Sequence, residues 1–148
     1  MRVAPQAVNG DERRPVARGE ALFEQRACQS CHLGPQPIGP DLGGVASRFS
    51  PADLFNTILF PNRDVAAPYR TTTYRTRDGS VYTGMPAFES ADGVILQLSA
   101  TSTIRLAESD IVSRQPSTLS LMPAGLLRGL SPRQFADLYA YMKTLPSR

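Results

Sequence analysis

The chain has 148 residues, 16 basic against 13 acidic side chains, and a net charge of +3 with its one histidine neutral. That length allows one domain, or one domain with an elaboration, and excludes two large ones. The positive charge is spread without a basic block, so nucleic-acid binding is not indicated. Lys143 is the only lysine; arginine supplies the other cations and suits bidentate contacts with carboxylates.

Residues 1–14 are polar and aperiodic and read as a loose tail or linker end. Met1-Arg2-Val3-Ala4-Pro5 lacks the hydrophobic stretch of a signal peptide, and no apolar run in the chain could span a bilayer. After Pro15, the spacing of Val16, Leu22, Phe23 and Ala27 predicts a helix with one apolar edge, Phe23 in the core. Gly19 weakens that helix, which points either to close approach by another element or to an incidental surface glycine.

The helix delivers Cys28-Gln29-Ser30-Cys31-His32, the C-x-x-C-H pattern of covalent c-type haem attachment. Cys28 and Cys31 would form thioethers to the porphyrin, and His32 would ligate the iron. Other readings of the pair are weaker. Structural zinc takes four Cys or His ligands, and the chain holds only Cys28, Cys31 and His32. A thioredoxin-type pair would follow a strand, and a disulfide across so short a loop would stabilise little. One covalent haem c is the expected cofactor. Because such attachment takes place outside the cytoplasm, the chain is expected to be a mature or excised portion of an exported, periplasmic protein.

Gly34-Pro35-Gln36-Pro37-Ile38-Gly39-Pro40 must form a loop beside the metal. A backbone carbonyl commonly orients the second nitrogen of an axial imidazole, and Pro40 is the candidate for that role toward His32. Arg48 and Asn62 are candidates for binding haem propionates, against the alternative of solvated surface positions. Ser50-Pro51-Ala52-Asp53 opens a second helix that runs through Leu54, Phe55, Ile58 and Leu59 to Pro61-Asn62.

From Tyr69 the composition turns to Thr, Tyr, Val and Ile. Strands are predicted at 69–77, 80–88, 94–100 and 103–107, with Asp78-Gly79 and Asp92-Gly93 as hairpin turns and a fifth short strand at 111–115. Ser131-Pro132-Arg133-Gln134 then starts a last helix, whose apolar stripe is Phe135, Leu138, Tyr139, Met142 and Leu145.

With the single histidine placed on the proximal side, methionine is the next choice for a sixth ligand. Met85, in Gly84-Met85-Pro86, falls within the hairpin region, whereas Met122-Pro123 lies in a loop able to cross the distal face. Met122 is therefore preferred, with Met85 or an open position as alternatives and Met142 read as core.

The first helix, Cys28 to His32, Gly39-Pro40-Asp41-Leu42 and Leu138-Tyr139-Ala140-Tyr141-Met142 together resemble a class I cytochrome c. Pro61-Asn62, Tyr69, Arg77-Asp78-Gly79, Thr83-Gly84, Ile111, Ser120-Leu121-Met122-Pro123 and Gly125-Leu126 more specifically resemble the bacterial haem-binding domain that closes large exported multidomain proteins. That resemblance runs from Gly19 to Leu145 and departs from the usual pattern at Gly84-Met85-Pro86-Ala87-Phe88. It implies a mainly α cytochrome c core, three or more helices around a haem, with a small antiparallel sheet or barrel inserted at about 66–117 of a domain spanning 15–148. It also places the sixth ligand at Met122. The function expected is one-electron transfer with a redox partner protein or fused dehydrogenase domain. The alternative is a haem-based gas sensor whose sixth ligand dissociates, and a peroxidase lacks its distal histidine.

Overall fold

The computed structural model describes residues 10–147. The first helix, α1, spans Gly10–Gln25 and carries Pro15 inside it. It therefore begins earlier than the sequence predicts and takes in residues 10–14 of the expected tail; residues 1–9 lie outside the described residues. Proline's fixed φ is itself helical, so a helix can pass through Pro15 with the loss of one backbone hydrogen bond. Ala27, left-handed at φ 58°, breaks the chain away from α1. The short α2, Cys28–His32, follows at once.

A loop leads to α3, Val45–Arg48, and to α4, Pro51–Leu59. The α4 start is the predicted one: Ser50 Oγ accepts from the Asp53 N–H at 3.1 Å, with proline at the first position. The last helix, α5, spans Pro132–Met142 and opens with a complete capping box, in which Ser131 and Gln134 satisfy each other's backbone N–H.

Gly19, Leu22 and Phe23 share one stripe of α1, and that stripe packs on α5. The crossing is close because Gly19 has no side chain: a Cβ there would lie 2.0 Å from the Asp137 carbonyl oxygen. Beside it, Arg18 donates from Nε and Nη2 to the two carboxylate oxygens of Asp137, at 2.6 and 2.8 Å. Phe23 meets Tyr141 edge to face. Around this crossing Leu22, Phe23, Val45, Leu54, Leu127, Leu138, Met142 and Leu145 form one buried core. The equal alternatives left for Gly19 are thus decided in favour of close approach.

Between α4 and α5 the chain builds a five-stranded antiparallel sheet: β1 Thr72–Thr76, β2 Val81–Ser90, β3 Gly93–Ser99, β4 Ser102–Ala107 and β5 Ile111–Pro116. Its order is β4-β3-β2-β1-β5, so β4 and β5 are its edges. Tyr74, Val94, Leu96 and Leu106 fill a second core belonging to the sheet. The sheet's entry and exit meet, since the Ser117 N–H donates to the Thr71 carbonyl at 3.0 Å.

This architecture corrects the expected mainly α fold with a small inserted sheet or barrel. The molecule is about 35% helix and 25% strand, and the five-stranded sheet is a layer in its own right. The physical reason is the second core: a sheet that buries its own tyrosine and aliphatic side chains does not lean on the helices as a minor cover. Alternation along single strands shows which side chains turn inward, not that β1, β3 and β4 enclose a common interior.

Candidate functional site

Cys28 and Cys31 stand three positions apart on α2, and side chains at that spacing share a helix face. Neither is in a disulfide. The Cys28 side chain packs against the helical core, and its Sγ lies 3.9 Å from the Arg26 carbonyl. Burial pushes the Cys28 thiol above its ordinary range, with a smaller upward push from Cys31 and an opposing pull from its own backbone N–H and from Arg26. Burial raises Cys31 as well. Both side chains are therefore neutral thiols near pH 7.

His32 closes α2 and is 9% exposed. Its Nδ1 lies 2.8 Å from the Pro40 carbonyl oxygen. A carbonyl can only accept, so Nδ1 carries a proton, and in the neutral imidazole the lone pair is then on Nε2. The proline-rich loop is folded back to make this contact by the Gly39 N–H, which donates to the Cys31 carbonyl at 2.8 Å. Gly39 also leaves the imidazole its place: a Cβ there would sit 2.9 Å from both Cε1 and Nδ1 of His32. This role for Gly39 was not drawn from the sequence, although its position directly ahead of Pro40 was the available signal.

The remaining candidates have partners of their own. Arg48 donates from Nη1 to the Gly43 carbonyl at 2.5 Å and from Nη2 to the Asp41 carbonyl at 3.3 Å, so its guanidinium fastens the loop that follows Pro40. Asn62, just beyond α4, accepts through Oδ1 from the Ser120 N–H at 2.7 Å. Met122 is half-buried in the loop after β5, and its N–H donates to Ser120 Oγ at 3.1 Å. Met85 is a β2 residue opposite Gln97 of β3, and Met142 is buried in the helical core. The contacts thus join Cys28, Cys31, His32 and Pro40 in one group, with Arg48 at its flank, and Asn62 and Met122 in another through Ser120.

Among the described residues no group of three or more His, Cys, Asp and Glu side chains could hold a metal ion, which leaves the Cys-Cys-His set without the further ligand that zinc requires. The same set fits a haem: two thiols on one helix face, and an imidazole in the tautomer whose second nitrogen can ligate, held by a carbonyl. Among the described residues no helix is long and apolar enough to cross a membrane.

The sequence model of the family described as cytochrome C oxidase, cbb3-type, subunit III matches residues 14–95, more than half of the chain. The matched stretch takes in Cys28, Cys31, His32, Pro40, Arg48, Asn62 and Met85 and stops before Met122. No curated protein matches the chain.

Proposed function

The chain belongs to the cytochrome c family described as cytochrome C oxidase, cbb3-type, subunit III, and from that premise we propose that it is a one-electron carrier holding a single covalent haem c. Family membership makes it a haem-binding cytochrome domain with a general role in electron transfer; the attachment, the axial ligands and the partner are our reading. When bound, the haem supplies the Fe(III)/Fe(II) couple.

The observation that carries the reading is the His32 Nδ1–H donating to Pro40 O at 2.8 Å on the same short helix as Cys28 and Cys31. Cys28 and Cys31 anchor the cofactor at two points. His32 ligates through Nε2, and Pro40 fixes the ring's orientation and increases its basicity. The apolar core behind α2 keeps water from this side of the site. Met122 serves as the sixth ligand, supported by its place in a loop rather than in a ladder. Arg48 is assigned a second role toward a propionate, through the donors not spent on Gly43 and Asp41.

A second assignment of the sixth ligand has one observation in its favour. Met85 lies inside the matched stretch and Met122 outside it, while the β2 ladder position of Met85 argues the other way. The reading of the wider protein follows the closer resemblance: a bacterial domain of residues 15–148, with residues of about 66–117 between its helices, exported to the periplasm and receiving electrons from a partner protein or a fused dehydrogenase domain.

Two measurements test this. Expressed with a c-type haem attachment system, the denatured wild type should retain one haem by mass, and Cys28→Ala with Cys31→Ala should retain none. The far-red charge-transfer band of oxidised methionine-ligated haem should be lost in Met122→Ala and kept in Met85→Ala. Haem removed from the wild type by denaturation alone would overturn covalent attachment, and the reverse pattern of bands would move the ligand to Met85.

A further inference from the structure

The loop that carries Met122 is tied down from two sides by residues far away in sequence. On one side Asn62 Oδ1 accepts from the Ser120 N–H at 2.7 Å, and Ser120 Oγ in turn accepts from the Met122 N–H at 3.1 Å. On the other, Thr71, only 2% exposed, donates from Oγ1 to the Leu119 carbonyl at 2.5 Å and accepts the Ser117 N–H on its own carbonyl. The partners are separated by 58 and 48 positions, so neither tie is a local turn.

We infer that Asn62 and Thr71 form a latch that positions Met122 and sets how readily the sixth coordination position opens. This rests on the reading of Met122 as the sixth ligand. Neither residue is proposed as a ligand; both act through the backbone of 117–122, as positioning residues. The physical argument is the mobility of loops. A ligand carried on a loop leaves the metal as often as the loop's own fluctuations allow, and hydrogen bonds to fixed points remove those fluctuations. Asn62 follows α4 and Thr71 precedes β1, so each tie runs to an element already fixed by its own layer. Asn62 is exposed and can be changed without opening the core.

The test is made on the haem-loaded protein with Asn62→Ala, Asn62→Asp and Ser120→Ala. Aspartate keeps the oxygen that accepts from Ser120 but replaces the amide donor with negative charge. A latch therefore predicts that Asn62→Asp behaves as wild type, whereas propionate binding by Asn62 predicts that it is as damaging as alanine. Two readouts are followed: carbon monoxide binding by the ferrous protein, limited by departure of the sixth ligand, and amide hydrogen exchange at 119–122. In Asn62→Ala and Ser120→Ala the binding rate should rise about fivefold, the factor equivalent to one net hydrogen bond, and the amides should exchange faster. Unchanged rates and exchange in both variants, or an Asn62→Asp protein as fast as Asn62→Ala, would overturn the latch. A Met122→Ala protein that keeps the far-red band would overturn the underlying ligand assignment, and the latch with it.

Discussion

The crossing of α1 and α5 offers a sharp test of the packing argument, through Gly19→Ala. The added methyl carbon would meet the Asp137 carbonyl oxygen at 2.0 Å, the Asp137 carbonyl carbon at 2.7 Å and Tyr141 Cβ at 2.7 Å. Carbon atoms attract each other best at about 3.5–4.0 Å, and two of these three neighbours are backbone atoms, which cannot turn aside. The helices must part by about 1 Å, a gap that forfeits a quarter to a half of each dispersion contact across it. Overpacking of this kind costs about 1–3 kcal/mol or more, and the backbone contact places Gly19 at the upper end. Against it stands a gain of about 1 kcal/mol, because alanine favours helix over glycine. The net expectation is a loss of about 2 kcal/mol, or about 4–8 °C in melting temperature for a chain of this length. Melting followed by far-ultraviolet circular dichroism at one fixed pH measures it. An unchanged or higher melting temperature would mean that helix propensity outweighs the clash and would refute the close crossing.

Three further outcomes are expected. The Arg18 fork holds the Asp137 carboxyl below its ordinary value; a depressed folded value contributes stability above the unfolded pKa of about 3.9 and loses it as pH falls through the folded one. Urea melts at neutral pH and near pH 3 should thus show a smaller acid loss in Arg18→Met than in wild type, and equal losses would refute the pairing. Gly39→Ala, whose methyl would press on Cε1 and Nδ1 of His32, should displace the ring from Pro40. The less basic imidazole then raises the reduction potential, read by redox titration, and an unchanged potential would count against the cradle. Ser131→Ala removes half of the α5 capping box and should cost about 1 kcal/mol, with Ser131→Thr restoring most of the melting temperature.

Local signals in the sequence mark out much of the candidate site. The C-x-x-C-H pentad names three side chains by spacing alone, and the rigid Gly39-Pro40 pair eight residues on reaches back to His32 as chain stiffness suggested. Serine caps followed by proline marked the starts of α4 and α5 because capping is chemistry within four residues. What escaped depends on long separations. The partners of Asn62 and Thr71 lie some fifty positions away, and nothing in Pro61-Asn62 or Thr71-Thr72 states where the chain returns. For Arg48 the choice lay between a propionate and a solvated position, and nothing in Ala46-Ser47-Arg48-Phe49 points to its acceptors, the carbonyls of Asp41 and Gly43. The weight of the sheet was underestimated for a related reason: Tyr74, Val94, Leu96 and Leu106 read as parts of separate strands until the register brings them together.

The bond between Ser117 and Thr71 bears on how the helices find each other. Docking α5 against α1 requires closure of a long loop, whose entropic cost rises with its length. Once the strands have paired, the chain from Thr71 to Ser117 counts as a single step, and the loop that separates α1 from α5 shrinks by roughly two fifths. By the logarithmic law each halving removes about 0.6 kcal/mol from the cost of closure. The sheet in this way acts as a splice in the chain's path. Helical contacts that look remote in sequence become moderately local in the ensemble in which the strands have already paired.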